Sequence, residues 1–371
     1  MSRVLLLWRE LCAQFYRCRL VLIFGFIYLL LSGFVMTHSV VNSIRFGDGF
    51  IRLDYDAMLN GTAWRPFAYR ILIPRMTTFI RDLTPVTTRQ VVRESFMETL
   101  EANSFMRKYL PQFKDAFEGA TYEKIVTTAL NYGFLLGFIW MMFLLGRELF
   151  PEDPAIKWFA PIFGMWLLPS FSWQWTYIYD IPLLCLSAAC YYCFLKRKFY
   201  TLIVLFTLAT LNRESSIFIL CFFLIWFYRR ISLSHYLSLS LLMAAIYALI
   251  KISLYHAYAN NVGWILEDNI SRMLSRDIFS KSGYFRMVII AIIFFLLTYR
   301  WMEKPLFLKL SLWLWPIFWL AYIRAGFPGE YRVFFDIMPL MVLLLTHTLI
   351  AGTGISASPV FRNNKQSTIA S

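Results

Sequence analysis

From Leu20 to about Val41 the chain carries no Lys, Arg, Asp or Glu, and nine further apolar runs follow it. Lipid offers an open backbone no hydrogen-bond partner, so a segment that crosses it folds as a helix of roughly 20 residues. The pattern predicts an all-α polytopic integral membrane protein of about ten membrane helices. Composition points the same way, with 59% hydrophobic and 16% charged residues. Soluble domains use roughly 45–50% apolar residues, so this chain has too few charges to coat a water-facing surface. The formal charge of +14 comes largely from short Lys and Arg clusters between apolar runs. Such clusters read as topology signals and contacts with anionic lipid, which sets nucleic acid aside as a partner.

Arg3, Arg9, Arg17 and Arg19 precede the first run, and basic residues close to a span mark its cytoplasmic side. Residues 1–19 are therefore expected inside, with the first run an uncleaved anchor. Residues 20–351 form the membrane domain, and 38–124 form a large first loop outside. Further spans are predicted near Val126–Leu145, Trp158–Trp175, Ile181–Leu195, Phe199–Leu211, Ile217–Tyr228, Leu233–Leu254, Tyr284–Tyr299, Leu306–Ile323 and Phe334–Ala351. This count puts Arg147, Lys157, Lys196–Lys198, Arg229, Arg230, Arg300, Lys304 and Lys309 inside. Both termini are then cytoplasmic, and the Ser- and Asn-rich tail 352–371 reads as disordered. Phe199–Tyr228 is unusual, because basic clusters bracket it on both sides. It must enter and return as a short pair, with Asn212, Arg213 and Glu214 at a turn buried in protein or lining a wet cavity.

Several residues could carry chemistry. Asp48, Asp54 and Asp56 open the outer loop, where a carboxylate can deprotonate an acceptor hydroxyl or amine. It can also hold a divalent cation, Mg or Mn, against a phosphate; solvated loop acids are the structural alternative. Trp64–Pro74 leads into an amphipathic pattern, with Tyr69, Leu72, Ile73, Met76, Phe79, Ile80 and Leu83 on one face. Arg70, Pro74, Thr77 and Arg81 share the other, which suits a helix lying in the interface and started or kinked at Pro74. Residues 65–93 hold six arginines against the single acid Asp82, and arginine forks match phosphate. Arg213 and Glu214 sit at membrane depth, where ionisable groups are costly and by default functional. They could instead pair with each other or with another helix to pin the hairpin. Glu330, Arg332 and Asp336 lie at the last outer connector. The four histidines show no zinc-ligand spacing, and Cys190 and Cys193 read as small apolar fillers in a helix. No Walker sequence is present.

Pro66–Pro74, Leu211–Ser215 and Glu330–Arg332 ahead of Pro339 together resemble the bacterial polytopic membrane glycosyltransferases of the GT-C type. The likeness spans the chain in architecture and these three patches in sequence. It implies a polyprenyl-phosphate sugar as donor, a lipid-linked or envelope glycan as acceptor, and transfer on the outer side of the bacterial inner membrane. It further implies a catalytic acid in the first loop, Asp56 or Asp54 with Asp48 third. Arg65, Tyr69, Arg70, Asn212, Arg213, Glu214, Glu330 and Arg332 become substrate-binding candidates. A transporter or flippase of lipid-linked glycans, a polymerase, and a non-catalytic membrane subunit on the same scaffold are the competing expectations.

Overall fold

The computed structural model describes residues 2–42, 54–104, 108, 112, 117, 121–171, 177–263, 269–275, 281–326 and 331–353. Among them the chain is helical, with no β-strand beyond one isolated bridge between Arg65 and Gly263. Four segments are long and apolar enough to cross a membrane: Cys18–Val41, Tyr122–Leu149, Leu233–Ala257 and Leu306–Arg324. Shorter apolar helices occupy other places where spans were expected.

The helices run α1 Ser2–Asn42, α2 Tyr55–Asn60, α3 Leu72–Leu83, α4 Val86–Ala102, α5 Tyr122–Leu149, α6 Pro154–Phe171, α7 Asp180–Lys196 and α8 Phe199–Asn212. They continue as α9 Ile217–Phe227, α10 Leu233–Ala257, α11 Ile270–Met273, α12 Lys281–Thr298, α13 Leu306–Ser311, α14 Leu314–Ala325 and α15 Met338–Thr353. Helix α5 is central, packing on both α6 and α7, while α7 also packs on α8 and α6 on α1 and α15. Close approach of α5 and α6 needs Gly146, where an added Cβ would lie 2.8 Å from the Lys157 Cα. Phe194, Phe222, Phe223, Phe227 and Phe307 interlock in the core between α7, α9 and α13. The outer faces of the long helices are apolar as well. Leu233, Leu237, Leu241, Leu249 and Ile252 on α10 are all exposed, which water would penalise and lipid would not.

The short pair has the expected form. Its arms, α8 and α9, are 14 and 11 residues long, or about 21 and 16 Å at 1.5 Å per residue. Neither reaches across a hydrocarbon core of roughly 30 Å. The turn between them is a single 3₁₀ turn, Glu214–Ser216. The Tyr247 hydroxyl donates to the Glu214 carbonyl at 3.0 Å, and Lys251 Nζ donates to the Thr210 carbonyl at 3.0 Å. Tyr247 and Lys251 lie inside α10, so the turn is held roughly two to three turns short of that helix's C-terminal end.

The amphipathic helix before α4 starts close to Pro74, one of the two forms expected for it. The apolar pattern reaches back to Tyr69 and includes Arg70 on a polar face, but the chain forms a 3₁₀ turn at Phe67–Tyr69 and begins α3 at Leu72. Pro74 is the cause. Its ring excludes the carbonyl of a helical Arg70, whereas in a helix's first turn its missing N–H costs nothing. The buried side also differs, comprising Leu72, Ile73, Pro74 and Thr77, while Phe79 and Leu83 are exposed. Thr77 turns inward because its hydroxyl shares a hydrogen bond of 2.8 Å with Thr127 of α5.

Candidate functional site

Four segments converge around one buried polar cluster: the break at Phe67–Ile71, the entry to α7 at Tyr177–Asp180, the hairpin turn at Asn212–Ser216, and the 3₁₀ turn Tyr331–Asp336. The segment before α3 is drawn in by backbone pairing. Ile71 N donates to the Leu211 carbonyl at 3.0 Å, and Arg65 N to the Val262 carbonyl at 2.8 Å. Asn261 clamps the same loop through its side-chain amide, donating to the Gly61 and Ala63 carbonyls at 2.9 and 2.8 Å. Gly263 is required beside Arg65, with a φ of +109° and an added Cβ placed 2.6 Å from the Arg65 carbonyl oxygen.

Three arginines enter the cluster, and each is nearly inaccessible: Arg70, Arg213 and Arg332 are 5–6% exposed. Arg70 forms a two-pronged ion pair with Glu214, through Nε at 3.2 Å and through Nη2. Its Nη1 donates to the Tyr179 hydroxyl, and its guanidinium lies 4.3 Å from the Tyr179 ring centre. Asp180, wholly buried, receives Arg332 at 3.3 and 3.4 Å and faces Arg213 at 3.6 Å. Its Oδ2 also accepts from the Tyr177 backbone N–H at 2.9 Å. Arg332 stacks on the Tyr177 ring, 3.7 Å from its centre. Buried charges persist only when paired in this way.

Arg213 and Glu214 do not pair with each other. Arg213 is extended, with φ −158° and ψ 146°, and extended neighbours point their side chains in opposite directions. Glu214 therefore reaches Arg70, and Arg213 faces Asp180.

Part of the cluster lacks partners. The Asp336 carboxylate is fully buried, with no donor on either oxygen. Arg213 Nε and Nη1, Ser215 Oγ and Asn212 Oδ1 also make no hydrogen bond. Orphaned buried polar atoms are rare, and a group of them marks a place for water or ligand.

Of the residues expected to act, the structure brings together Tyr69, Arg70, Asn212, Arg213, Glu214 and Arg332. Tyr69 is buried against Tyr255, with ring centres 4.8 Å apart. Arg65 flanks the cluster on the tethered loop. Asp54 and Asp56 lie apart on α2, which packs through Met58 against Ala63, Ala68, Tyr177 and Tyr179. Asp54 is the N-cap of that helix, accepting from Ala57 N at 3.2 Å, whereas Asp56 is exposed in its first turn. Asp48 and Glu330 lie outside the described residues. Among the described residues no group of three or more His, Cys, Asp or Glu is placed to hold a metal ion. Asp54 and Asp56 thus find no third ligand among the described residues for Mg or Mn.

Sequence reasoning did not select Tyr179, Asp180 or Lys251. A signal existed for each cation and acid: Asp180 stands directly before an apolar run, and Lys251 stands alone inside one. Lys251 is 3% exposed. Comparison with protein-family models, curated proteins and solved structures gives no match.

Proposed function

We propose that the chain is an integral membrane glycosyltransferase of GT-C-like design, acting on a polyprenyl-phosphate sugar at the outer side of a bacterial inner membrane. The observation that carries this reading is the convergence of three buried guanidiniums, from three separate segments, beside buried polar atoms without partners. Within the cluster, Arg65, Arg70, Arg213, Lys251 and Arg332 outnumber Asp180, Glu214 and Asp336, a surplus suited to a phosphate-bearing lipid. An apolar groove of about 480 Å³ between α3 and α5, lined by Ile80, Val126, Leu130 and Phe134, suits its prenyl tail.

In the reaction, the acceptor oxygen forms a bond to the anomeric carbon as the bond from that carbon to the phosphate oxygen breaks. The acceptor proton passes to a carboxylate, for which Asp56 is the freer candidate because Asp54 already caps α2. Charge that develops on the departing lipid phosphate is stabilised by fixed guanidiniums, the contribution preorganised dipoles and cations make in other sites. The acceptor is a lipid-linked or envelope glycan. Membranes carrying Asp56→Asn should retain donor binding and lose transfer; unchanged transfer in the Asp54→Asn, Asp56→Asn double variant would remove the assignment.

The orientation is part of the proposal: both termini inside, residues 38–124 outside. Single cysteines at Asn103 and Ser358, in a cysteine-free background, should label from opposite sides, and labelling of both from one side would reverse it. One observation favours a second reading. The hairpin α8–α9 resembles the discontinuous helices of transporters, whose broken ends hold substrate near the midplane. A flippase would move the intact lipid-linked sugar across vesicles without cleaving it, so product analysis separates the two.

A further inference from the structure

Arg70 is already engaged by Glu214 and Tyr179, so the unpartnered atoms belong to a different part of the cluster. Around the Asp336 carboxylate they are Asn212 Oδ1, Arg213 Nε, Ser215 Oγ and both oxygens of Asp336, with Arg213 Nη1 3.6 Å from Asp180 Oδ1. Asn212 and Asp336 are 0% exposed and Arg213 is 5% exposed. Asn212 is held by its other amide atom, which donates to the Tyr179 carbonyl at 2.9 Å. Asp336 is held by its backbone, since the Tyr191 hydroxyl donates to its carbonyl at 2.8 Å. Arg213 lies beside the Asp336 carboxylate and Ser215 turns its hydroxyl toward it, with neither contact reaching ordinary hydrogen-bond geometry. The side chains are therefore fixed while their polar ends remain open.

The chemistry of these ends selects the ligand. A phosphate offers acceptors alone, and would meet the Asp336 carboxylate and the Asn212 oxygen with repulsion. A purely basic ligand would meet Arg213. A hydroxyl donates and accepts at once, so adjacent hydroxyls can give to Asp336 and Asn212 while taking from Arg213 and Ser215. Arg213 and Arg332 together balance Asp180 and Asp336 in charge, which favours a neutral ligand. We infer that Asn212, Arg213, Ser215 and Asp336 form a subsite for the vicinal hydroxyls of a neutral sugar, separate from the place that holds phosphate. The inference rests on the glycosyltransferase reading and adds to it the class of group transferred: an uncharged sugar, without a carboxylate or phosphate on its ring.

Saturation-transfer NMR on the full chain in nanodiscs tests this with methyl glycosides of glucose, galactose, mannose and arabinose as probes. Polyprenyl monophosphate without sugar is measured in parallel. At least one glycoside should receive saturation, and inorganic phosphate should not displace it. Asp336→Asn and Ser215→Ala should each weaken that glycoside about tenfold or less, the scale of one lost hydrogen bond, with polyprenyl monophosphate binding unchanged. Ser215→Ala removes a single oxygen, and it keeps the test valid should Asp336→Asn fail to fold. Glycoside binding that is absent, displaced by phosphate, or untouched in both folded variants overturns the subsite. If polyprenyl monophosphate still binds, only the subsite falls; if neither probe binds, the donor reading falls with it.

Discussion

Among the described residues, cations are buried in two places and treated differently. In the four-segment cluster, Arg70, Arg213 and Arg332 meet carboxylates that reach them from other segments, and several polar atoms make no hydrogen bond. At the other half of α15, roughly two to three turns beyond Met338, Lys304 is buried with partners that carry no formal negative charge. Its Nζ donates to the Leu344 carbonyl at 2.9 Å and to Thr348 Oγ1 at 3.0 Å, with His347 Nδ1 at 3.3 Å. Lys304 has three N–H donors and three neighbours, so the site is closed. The closed site ties the connector before α13 to α15. The open one joins four segments and leaves unmet hydrogen-bonding capacity at their centre.

That contrast can be broken most forcefully at the Arg70–Glu214 pair. Glu214→Gln leaves a buried guanidinium without its carboxylate and should destabilise by about 2–3 kcal/mol, less than for a fully buried pair because Glu214 is itself 36% exposed and water screens part of the attraction, measured by thermal unfolding in detergent. Transfer should be lost with it. A loss below about 1 kcal/mol would mean that water or another acid already supports Arg70.

A smaller but sharper effect is expected at Gly263. Alanine there must tolerate a φ of +109° and a contact with the Arg65 carbonyl, so the outer loop should loosen at a cost of about 1–3 kcal/mol. Proteolysis within residues 61–70 would reveal it, and full protection in the variant would show that Asn261 alone holds the loop.

The closed site should respond to pH instead. Burial pushes the Lys304 ammonium down from the ordinary 10.5 to about 8. Between those values the unfolded chain binds more protons than the folded one, so this group's contribution to stability rises with pH across that window. Unfolding scans from pH 8 to 10 should show wild type gaining on Lys304→Met, with transfer little changed in the variant at pH 7. A parallel pH response in both proteins would contradict the burial.

The smallest effects separate the two loop acids. Asp54→Ala should lose a helix cap, about 0.5–2 kcal/mol, while Asp56→Asn should leave stability within about 0.5 kcal/mol and remove transfer.

How much of this could be read in advance differs by element. The long apolar runs state their helices openly, and the return at Phe199–Tyr228 follows from basic clusters on both flanks. Arg213 was legible as a costly charge at membrane depth, Arg70 as part of an arginine-rich stretch suited to phosphate, and Arg332 as a cation at the last connector. Their partners were not. Glu214 reaches Arg70 across 144 positions of sequence, and Asp180 reaches Arg332 across 152, distances at which periodicity carries no information. The start of α3 was half legible: Pro74 announces a boundary, but which face of the helix turns inward depends on Thr127, on another helix. Asp180 was hidden because an acid ahead of an apolar run reads as a helix start before it reads as a site.

The central claim is that the cluster exists to hold a lipid phosphate and not merely to join segments. Arg70→Met with Glu214→Leu replaces the paired charges by apolar groups of similar size, a change that buried ion pairs often accept with little loss of stability. Binding of polyprenyl monophosphate to the folded double variant in nanodiscs is the direct test. The expected result is a folded protein whose affinity for that lipid has fallen at least about tenfold, the scale of one lost charge-assisted contact. A folded double variant that binds polyprenyl monophosphate as wild type does would contradict it.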